Sequence, residues 1–374
     1  MDTNMSDNNA VKLPSGEKLV LSSSPHLSSG SSLCKIMGGV LLALLPQIIA
    51  STWLFGFRAL FIIIYTALCC VGAEALWCKI AGKDVWRNIS DCSAILTGVL
   101  LAMCLPVSVP LYIPPIGAIL AIWLAKQIYG GIGNNPFNPA LVARVGLLIA
   151  LPAAMTVWTP SRGMKSADYP EIEQFYTADT VNTIRNGGSL DGISCATPLG
   201  VVSTTPKVLE KGEKAEKNFA RVASPELMKH YIWGDRAGCI GETCVPALLC
   251  GFVILVILNL INWSVPVLFV ATVMVLTSVI NFFMPGVTPG ALFHVCNGGL
   301  LLGAIFMATD MVTSPITGRG CVFFAVGCGV LTTVIRVWGN YPEGVSFAIL
   351  FMNSLVPLID RWFVKRPFGY VPKR

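Results

Sequence analysis

The sequence has few charged residues. Only 12% of its 374 residues are Asp, Glu, Lys or Arg, and 54% are hydrophobic, whereas about 25% of a soluble domain is charged. This composition excludes a chain that faces water on all sides. Apolar runs of about 20 residues, long enough to span a hydrocarbon core of about 30 Å, recur throughout and predict an all-α polytopic membrane protein. The net charge of +6 then indicates orientation in the membrane and not a nucleic-acid partner.

The chain also lacks the pattern of a cleaved signal peptide. Residues 1–33 are polar and rich in Ser and Asn, without the basic start and short apolar core that such peptides have. We predict that these residues form a cytoplasmic tail and that the first spanning helix is an uncleaved anchor.

Metal-ligand spacing is missing among the thirteen cysteines. Most of them lie within or beside apolar runs, where cysteine behaves as a small hydrophobic residue. The close pair in a polar region, Cys239 and Cys244, has C-x4-C spacing with no second pair at ligand spacing. We expect no iron-sulfur or zinc site. Whether these two cysteines form a disulfide is a question that the sequence leaves open.

Run lengths predict ten membrane helices in two repeats of five, over residues 34–155 and 245–360. A polar loop over residues 156–244 separates the repeats, and residues 361–374 form a basic tail. The predicted helices cover residues 35–55, 59–78, 92–108, 112–129, 139–155, 245–262, 265–283, 291–308, 320–337 and 342–360.

The two halves resemble each other weakly. T-G-V-L-L-A-M at 97–103 parallels N-G-G-L-L-L-G-A-I-F-M at 297–307. An odd number of helices in each half would place the repeats in the membrane in opposite senses, which is the inverted-repeat plan of many transporters.

Basic residues near the predicted helix ends indicate the orientation. Arg58 and Arg336 lie on one side, whereas the side of the termini carries Lys35, Lys79, Lys83, Arg87, Lys126, Arg319, Arg361, Lys365, Arg366, Lys373 and Arg374. We therefore predict that both termini are cytoplasmic and that the 156–244 loop lies outside the cell membrane.

Two polar segments are candidates for an ion or flavin pathway. G-G-I-G-N-N-P-F-N-P at 130–139 contains Asn134, Asn135 and Asn138, and it is either a tight turn or a broken helix that lines a cavity. M-A-T-D-M-V-T-S-P at 307–315 places Asp310 near a membrane boundary, where its burial would indicate function and its solvation would not. The remaining acidic candidates are Glu74, Asp91, Glu343 and Asp360.

The stretch D-G-I-S-C-A-T-P-L-G at 191–200 has the composition of a turn. Asp191 and Ser194 can bond nearby backbone N–H groups, Gly192 permits a positive φ, and Pro198 restricts Thr197 to extended conformations. Taken alone, these residues indicate a surface loop and assign no reactivity to the threonine.

Six sequence blocks carry a family resemblance. They are S-P-H at 24–26, G-G-I-G-N-N-P-F-N-P-A at 130–140, D-G-I-S-C-A-T at 191–197, G-C-I-G-E-T at 238–243, M-A-T-D at 307–310 and V-I-R-V-W-G-N-Y-P-E-G at 334–344. In these blocks the chain resembles the RnfD component of the Rnf electron-transport complex and, more distantly, the NqrB component of the sodium-pumping NADH:quinone oxidoreductase. The resemblance implies a ten-helix inverted repeat similar to that of urea transporters.

The resemblance further implies that Thr197 carries a covalent FMN. In that family a flavin transferase recognises D-x-x-S/T-x-A-T, here Asp191, Ser194, Ala196 and Thr197 with Gly192 between them, and joins the FMN phosphate to the threonine hydroxyl. Cys195 stands where Gly or Ser is usual, and we expect a modest effect on modification. An exposed loop outside the cytoplasm would let the transferase reach the threonine.

By resemblance the protein is one subunit of an enzyme complex in the prokaryotic inner membrane. The complex couples electron transfer between reduced ferredoxin and NAD to movement of Na+ or H+. Expected partners are a second covalent-flavin subunit and membrane iron-sulfur subunits. Whether the chain also binds a noncovalent riboflavin is a question that the sequence leaves open. Ferredoxin and NAD sites are expected on other subunits, because this chain has no G-x-G-x-x-G after a strand.

Two rival hypotheses remain. The chain could be a solute channel or transporter of the same fold without a redox role, which predicts no flavin and no dependence on Thr197. It could also be an assembly scaffold whose flavin is dispensable, which predicts normal turnover when the flavin is lost.

Overall fold

A computed structural model describes residues 32–166, 169–185, 194–208, 219–284, 287–339 and 343–364. All regular elements in these ranges are helices, so the predicted all-helical composition is confirmed for the described residues. Most of the N-terminal tail, residues 365–374 and the Asn340–Pro342 segment of the second half lie outside them.

The first half contains helices α1 to α5. Their bounds are Leu33–Phe55 (α1), Phe57–Ile80 (α2), Ser93–Met103 (α3), Ile113–Gln127 (α4) and Pro139–Ala150 (α5). The second part of α4, Ile119–Gln127, is a π-helix. Short helices Val85–Ile89 and Pro152–Met155 lie between and after them.

The second half contains helices α6 to α10. Their bounds are Val245–Ile257 (α6), Ser264–Phe283 (α7), Ala291–Cys296 followed after a break by Leu300–Leu302 and the π-helix Gly303–Met307 (together α8), Gly318–Trp338 (α9) and Val345–Trp362 (α10). The break in α8 includes Gly298, whose φ of 71° lies in the left-handed region that glycine tolerates.

Five of the described helices, α1, α2, α7, α9 and α10, are long and apolar enough to cross a membrane. Helices α3, α4, α5 and α6 are apolar but have only 10–17 residues. A helix rises about 1.5 Å per residue, so an 11-residue helix such as α3 is shorter than a hydrocarbon core of about 30 Å.

Several helices end earlier than their apolar runs predict. Helix α3 ends at Met103, a few residues before Pro106, and α5 ends at Ala150, just before Pro152. Proline cannot donate a backbone hydrogen bond and disfavours helix in the residue before it. Helix α6 ends at Ile257, and Asn259 follows with a φ of 55°. Apolar run length therefore overestimates the helices at these three ends.

Glycines allow close contacts between helices. A Cβ at Gly98 of α3 would lie 2.6 Å from Cα of Ala67 in α2, and a Cβ at Gly251 of α6 would lie 2.5 Å from the carbonyl oxygen of Ala43 in α1. Small residues at such contacts are typical of membrane helices, which associate by close packing. The second contact joins the two halves of the chain.

The predicted 156–244 loop is a folded layer in its described parts. It contains helices Ala178–Arg185, Pro198–Val208 and Pro225–Trp233. Tyr231 is fully buried, and its ring lies 6.0 Å from that of Phe293 in α8. The layer is therefore packed onto the second half, with an aromatic contact between them, which limits the access that the sequence alone suggests.

Candidate functional site

The segment that precedes Thr197 is held by backbone hydrogen bonds. The N–H of Cys195 donates to the carbonyl oxygen of Trp158 at 3.1 Å, and the N–H of Ala196 donates to that of Phe175 at 2.9 Å. Ser194 is exposed, whereas Asp191 and Gly192 lie outside the described residues. Two separate parts of the loop thus position the threonine.

Thr197 caps the helix Pro198–Val208. Its Oγ1 accepts a hydrogen bond from the N–H of Gly200 at 3.0 Å, and Pro198 opens the helix, a position where proline is favoured because no partner for its N–H is needed. The side chain of Thr197 is only 8% exposed. The expected exposure of this threonine is therefore wrong for the packed chain, because the loop folds around it.

The thiol of Cys195 is not a competing nucleophile. The residue is 5% exposed, and burial raises the pKa of the thiol to about 12, so about one thiol in ten thousand is ionised at pH 8. We expect maleimide to label Cys195 of the native protein at least about 100-fold more slowly than that of the protein denatured in dodecyl sulfate. Mass spectrometry of the labelled peptide measures both rates, and similar rates would contradict the burial of this cysteine.

A pocket of about 80 Å³ lies beside the helix that Thr197 begins. One wall contains Leu199, Val202 and Ser203 of that helix, and the facing wall contains His294 and Arg336. Both facing side chains are buried. The pocket therefore places two buried polar groups next to the capped helix.

Polar atoms at this pocket have no protein partner. Arg336 donates from Nη1 to the His294 carbonyl oxygen at 2.6 Å and from Nη2 to that of Asn297 at 3.1 Å, but its Nε is unpaired. Nε2 of His294 bonds to Thr288 Oγ1 at 2.6 Å, while its Nδ1 is unpaired. Buried polar groups normally have partners, so these two unpaired atoms distinguish the pocket-lining residues from an ordinary buried contact. The sequence alone indicates only a role in membrane orientation for Arg336.

Further buried charges surround Glu343, one of the predicted pathway residues. Glu343 forms an ion pair with Arg144 of α5, and both side chains are largely buried. Arg236 donates to Asn297 Oδ1 at 3.1 Å and to the carbonyl oxygen of Glu242. Glu343 therefore joins the two halves through a salt bridge, and the structure does not bring it into a pocket with Asp310.

Cys239 belongs to the same cluster. Its N–H donates to Glu242 Oε1 at 2.8 Å, and ligand atoms of Cys239, Glu242 and Glu343 lie within 4.8 Å of one another. The guanidinium of Arg144 contacts both Cys239 and Glu343, so one of the two carboxylates already has a positively charged partner. Cys239 and Cys244 are free thiols, which corrects the disulfide that their spacing left open.

Breaking the Arg144–Glu343 pair should destabilise the protein strongly. We expect Arg144→Met to lower the free energy of unfolding by about 3–5 kcal/mol, because it leaves a buried carboxylate without its partner. Heating the detergent-solubilised protein and measuring the soluble fraction by size-exclusion chromatography tests this.

Arg319→Met, which removes an exposed arginine, is the matched control for the Arg144 variant. The double variant Arg144→Met with Glu343→Leu should recover much of the loss, since it removes both charges. Equal stability of Arg144→Met and Arg319→Met would contradict a structural role for the ion pair.

The second cluster of predicted residues lines a pocket of about 110 Å³. Asp310, Asn135 and Asn138 all contribute to this pocket, together with Ser93 and Lys126. Asn138 also caps α5 by accepting from the N–H groups of residues 140 and 141, and its Nδ2 donates to the carbonyl oxygen at the end of α8. The 130–139 segment is therefore irregular backbone that helps to line a cavity.

Asn134 is exposed and does not line this pocket. Its prediction as a pathway residue is not supported by this placement, although its neighbour Asn135 is buried. The sequence could not separate the two, because positive φ angles at Gly130, Gly131 and Gly133 turn adjacent side chains in different directions.

Lys126 has a different role from the one that its sequence position suggests. The sequence places it among basic residues near a helix end, but it is 3% exposed and donates to Glu74 Oε1 at 2.5 Å and Ser93 Oγ at 2.7 Å. Ser93 in turn donates to Asp91 at 2.6 Å. Glu74 and Asp91 are thus members of one hydrogen-bonded chain, and Glu74 neutralises the lysine.

Asp310 and Asp360 both accept hydrogen bonds from backbone N–H groups. Asp310 accepts from the N–H of Val312 at 3.5 Å and from Thr313 Oγ1 at 3.1 Å, whereas Asp360 accepts from the N–H of Ile316 at 3.0 Å. Asp310 lines the pocket and Asp360 does not. Among the acidic candidates, Asp310 is therefore the one whose charge faces this cavity.

Comparison with known proteins extends over nearly the whole chain. Residues 20–369 match the sequence model of the NQR2, RnfD, RnfE family. The D component of the ion-translocating oxidoreductase complex of Stutzerimonas stutzeri is 41% identical over 345 residues, which cover 91% of this chain and 92% of the relative. The D component of the proton-translocating ferredoxin:NAD(+) oxidoreductase complex of Clostridium ljungdahlii is 38% identical over 349 residues, which cover 93% of this chain and 96% of the relative. The similarity includes both halves and the layer between them.

Proposed function

The chain belongs to the NQR2, RnfD, RnfE family, and from this premise we propose that it is the flavin-carrying membrane subunit of an Rnf-type complex. Relatives at 38–41% identity are named as the D component of ion-translocating oxidoreductases. The complex would transfer electrons between reduced ferredoxin and NAD and move Na+ or H+ across the prokaryotic inner membrane. Its partners would be the other subunits, including a second covalent-flavin subunit and iron-sulfur subunits.

We propose that FMN is attached through its phosphate to the hydroxyl of Thr197. The observation that carries this is the placement of Thr197 at the start of a helix that lines a pocket together with the buried residues Arg336 and His294. When bound, FMN supplies one- and two-electron redox chemistry, while the protein supplies position and electrostatics. Arg336 would contribute positive charge on the side of the pocket that faces this helix.

Burial of Thr197 has a consequence for maturation. A transferase cannot reach a side chain that is 8% exposed, so the flavin would be attached before the 194–197 segment packs, or after it opens locally. The segment is held by two backbone hydrogen bonds to other parts of the layer, and such local opening costs less than unfolding the membrane helices.

We further propose ten membrane segments in two inverted repeats, with both termini in the cytoplasm. Helix α3 is short and the corresponding α8 is broken, as expected where discontinuous helices of a repeat meet inside a transporter fold. The irregular backbone at 130–139, in which Asn135 and Asn138 are buried, and the break in α8 support this arrangement, because such backbone occurs at membrane depth where protein surrounds it.

The Asp310 pocket is the proposed place for a pathway residue. Its lining combines the Asp310 carboxylate with amides of Asn135 and Asn138 and with apolar side chains, which suits either a passing cation or the polar edge of a noncovalent riboflavin. Because Glu74 already pairs with Lys126, the lysine that lines the pocket does not neutralise Asp310.

In-gel flavin fluorescence tests the redox proposal against its rivals. The chain is co-expressed with the flavin transferase and separated under denaturing conditions, so that only covalent flavin stays with it. We expect a fluorescent band at the mass of the chain. A dark band with active transferase would overturn the proposal and favour a solute channel or transporter, whereas a fluorescent band with normal turnover after flavin loss would favour a scaffold.

A further inference from the structure

Cys34 and Cys92 place two sulfur atoms in contact. Cys34 lies in the first turn of α1, and Cys92 immediately precedes α3. Their Sγ atoms are 3.4 Å apart, about 1.4 Å more than the length of a disulfide bond, which is about 2.0 Å. Rotation of the two side chains would bring the sulfurs together without any large movement of the helices.

The turn before α3 holds this arrangement. Cys92 has a φ of 62°, in the left-handed region that few non-glycine residues adopt. Asp91 stabilises the same turn by accepting from the N–H of Ser93 at 2.8 Å. This backbone conformation places the sulfur of Cys92 beside α1.

Both cysteines have exposed surface. Cys34 is exposed and Cys92 is half-buried, whereas Cys70, Cys78 and Cys104 in the same half of the protein are buried. Because disulfide exchange requires access to the attacking sulfur, Cys34 is the thiol that an oxidant meets first and Cys92 is its neighbour.

We propose that Cys34 and Cys92 are a reversible disulfide site, oxidised by a low-molecular-weight disulfide. The Cys34 thiolate attacks the small disulfide, forms a mixed disulfide and releases one small thiolate. Cys92 then loses its proton, attacks the Cys34 sulfur and releases the second small thiolate. The two cysteines lose two electrons and two protons, and the small disulfide becomes two thiols, so the exchange is balanced.

The bridge would restrict the Asp310 pocket. Ile36 and Met37 of α1 and Ser93 of α3 line that pocket, and each lies within three residues of one of the two cysteines. A disulfide would therefore tie together two helices that form its wall. This consequence rests on the proposed ion pathway, whereas the disulfide itself does not.

The site is tested on the complex in membranes with oxidised glutathione as the probe. After oxidation, free thiols are blocked with N-ethylmaleimide, and the chain is digested and analysed by mass spectrometry without reduction. We expect most chains to contain the Cys34 peptide linked to the Cys92 peptide, and dithiothreitol to remove the link. Cys34→Ser and Cys92→Ser should abolish it, whereas Cys250→Ser, which changes an exposed cysteine of α6, should not.

Three results would overturn the site: free thiols that persist in excess oxidised glutathione, a stable glutathione adduct on Cys34, or a Cys34–Cys34 link between chains. The in-gel flavin signal of the serine variants shows that they fold and mature. For the regulatory role, we expect oxidation to slow ion uptake at least threefold in the wild type and not in Cys92→Ser. Equal uptake by oxidised and reduced wild type would overturn that role, and a dark flavin band with an intact link would overturn only the redox proposal.

Discussion

Thr197→Val should abolish covalent flavin on this chain and reduce ferredoxin-dependent NAD reduction by the complex to background. Valine matches threonine in shape but has no hydroxyl to accept the FMN phosphate. In-gel fluorescence and turnover of the purified complex measure the two effects. The loss of the helix cap at Gly200 costs only about 1 kcal/mol, so unfolding is not expected to cause the result.

Two matched variants separate flavin attachment from the capping role of Thr197. Thr197→Asn keeps a good capping side chain but has no hydroxyl, and we expect it to be as dark as Thr197→Val. Thr183→Val removes a hydroxyl from another helix of the same layer, where Thr183 Oγ1 donates to the carbonyl oxygen of Asp179 at 2.9 Å, and it should retain full fluorescence. Fluorescence of the Thr197→Asn protein would show that the flavin is attached to a residue other than Thr197.

Asp310→Asn should reduce ion translocation at least tenfold while leaving the flavin content unchanged. Asparagine keeps the size of the side chain and one oxygen, which can accept from either Val312 or Thr313, but it removes the negative charge that faces the pocket. Uptake of radioactive Na+ and of protons, followed in inverted vesicles supplied with reduced ferredoxin and NAD, measures the effect for either coupling ion.

Asp360→Asn is the control for the loss of an acidic residue. Asp360 also accepts from a backbone N–H but does not line the pocket, and we expect near-normal uptake. Glu343→Gln should lower stability more than Asp310→Asn does, because Glu343 is the partner of Arg144. Normal uptake by Asp310→Asn vesicles of unchanged flavin content would remove this residue from the pathway.

Sequence patterns locate the helices well in the interior of each run and poorly at the ends. The apolar run that continues past Met103 predicts helix, yet Leu105 precedes a proline and α3 has already ended. Similarly, the 291–308 run predicts one helix, but Gly298 and Gly299 interrupt it. Hydrophobicity reports burial or lipid contact and does not report whether the backbone is helical.

The candidate site was predictable where it depends on a local motif. The D-x-x-S-x-A-T stretch points to Thr197 through family resemblance, and the Asn and Asp segments point to the Asp310 pocket. Arg336 and His294 were missed as site residues, because a single basic residue at a helix end is commonly an orientation signal. The signal that could have found Arg336 is its position inside the V-I-R-V-W-G-N-Y-P-E-G block shared with the family.

By itself the sequence determined that this is a helical membrane protein that resembles the NQR2, RnfD, RnfE family, because composition, run length and short motifs are local properties. Only the tertiary structure decided which polar groups meet. It paired Lys126 with Glu74 across 52 positions and Arg144 with Glu343 across 199 positions, buried Thr197 at the start of a helix, and placed Asp310 in a pocket that Glu343 does not line. A charge inside a membrane protein needs a partner, but its sequence position does not specify which one, since helix packing selects the partner.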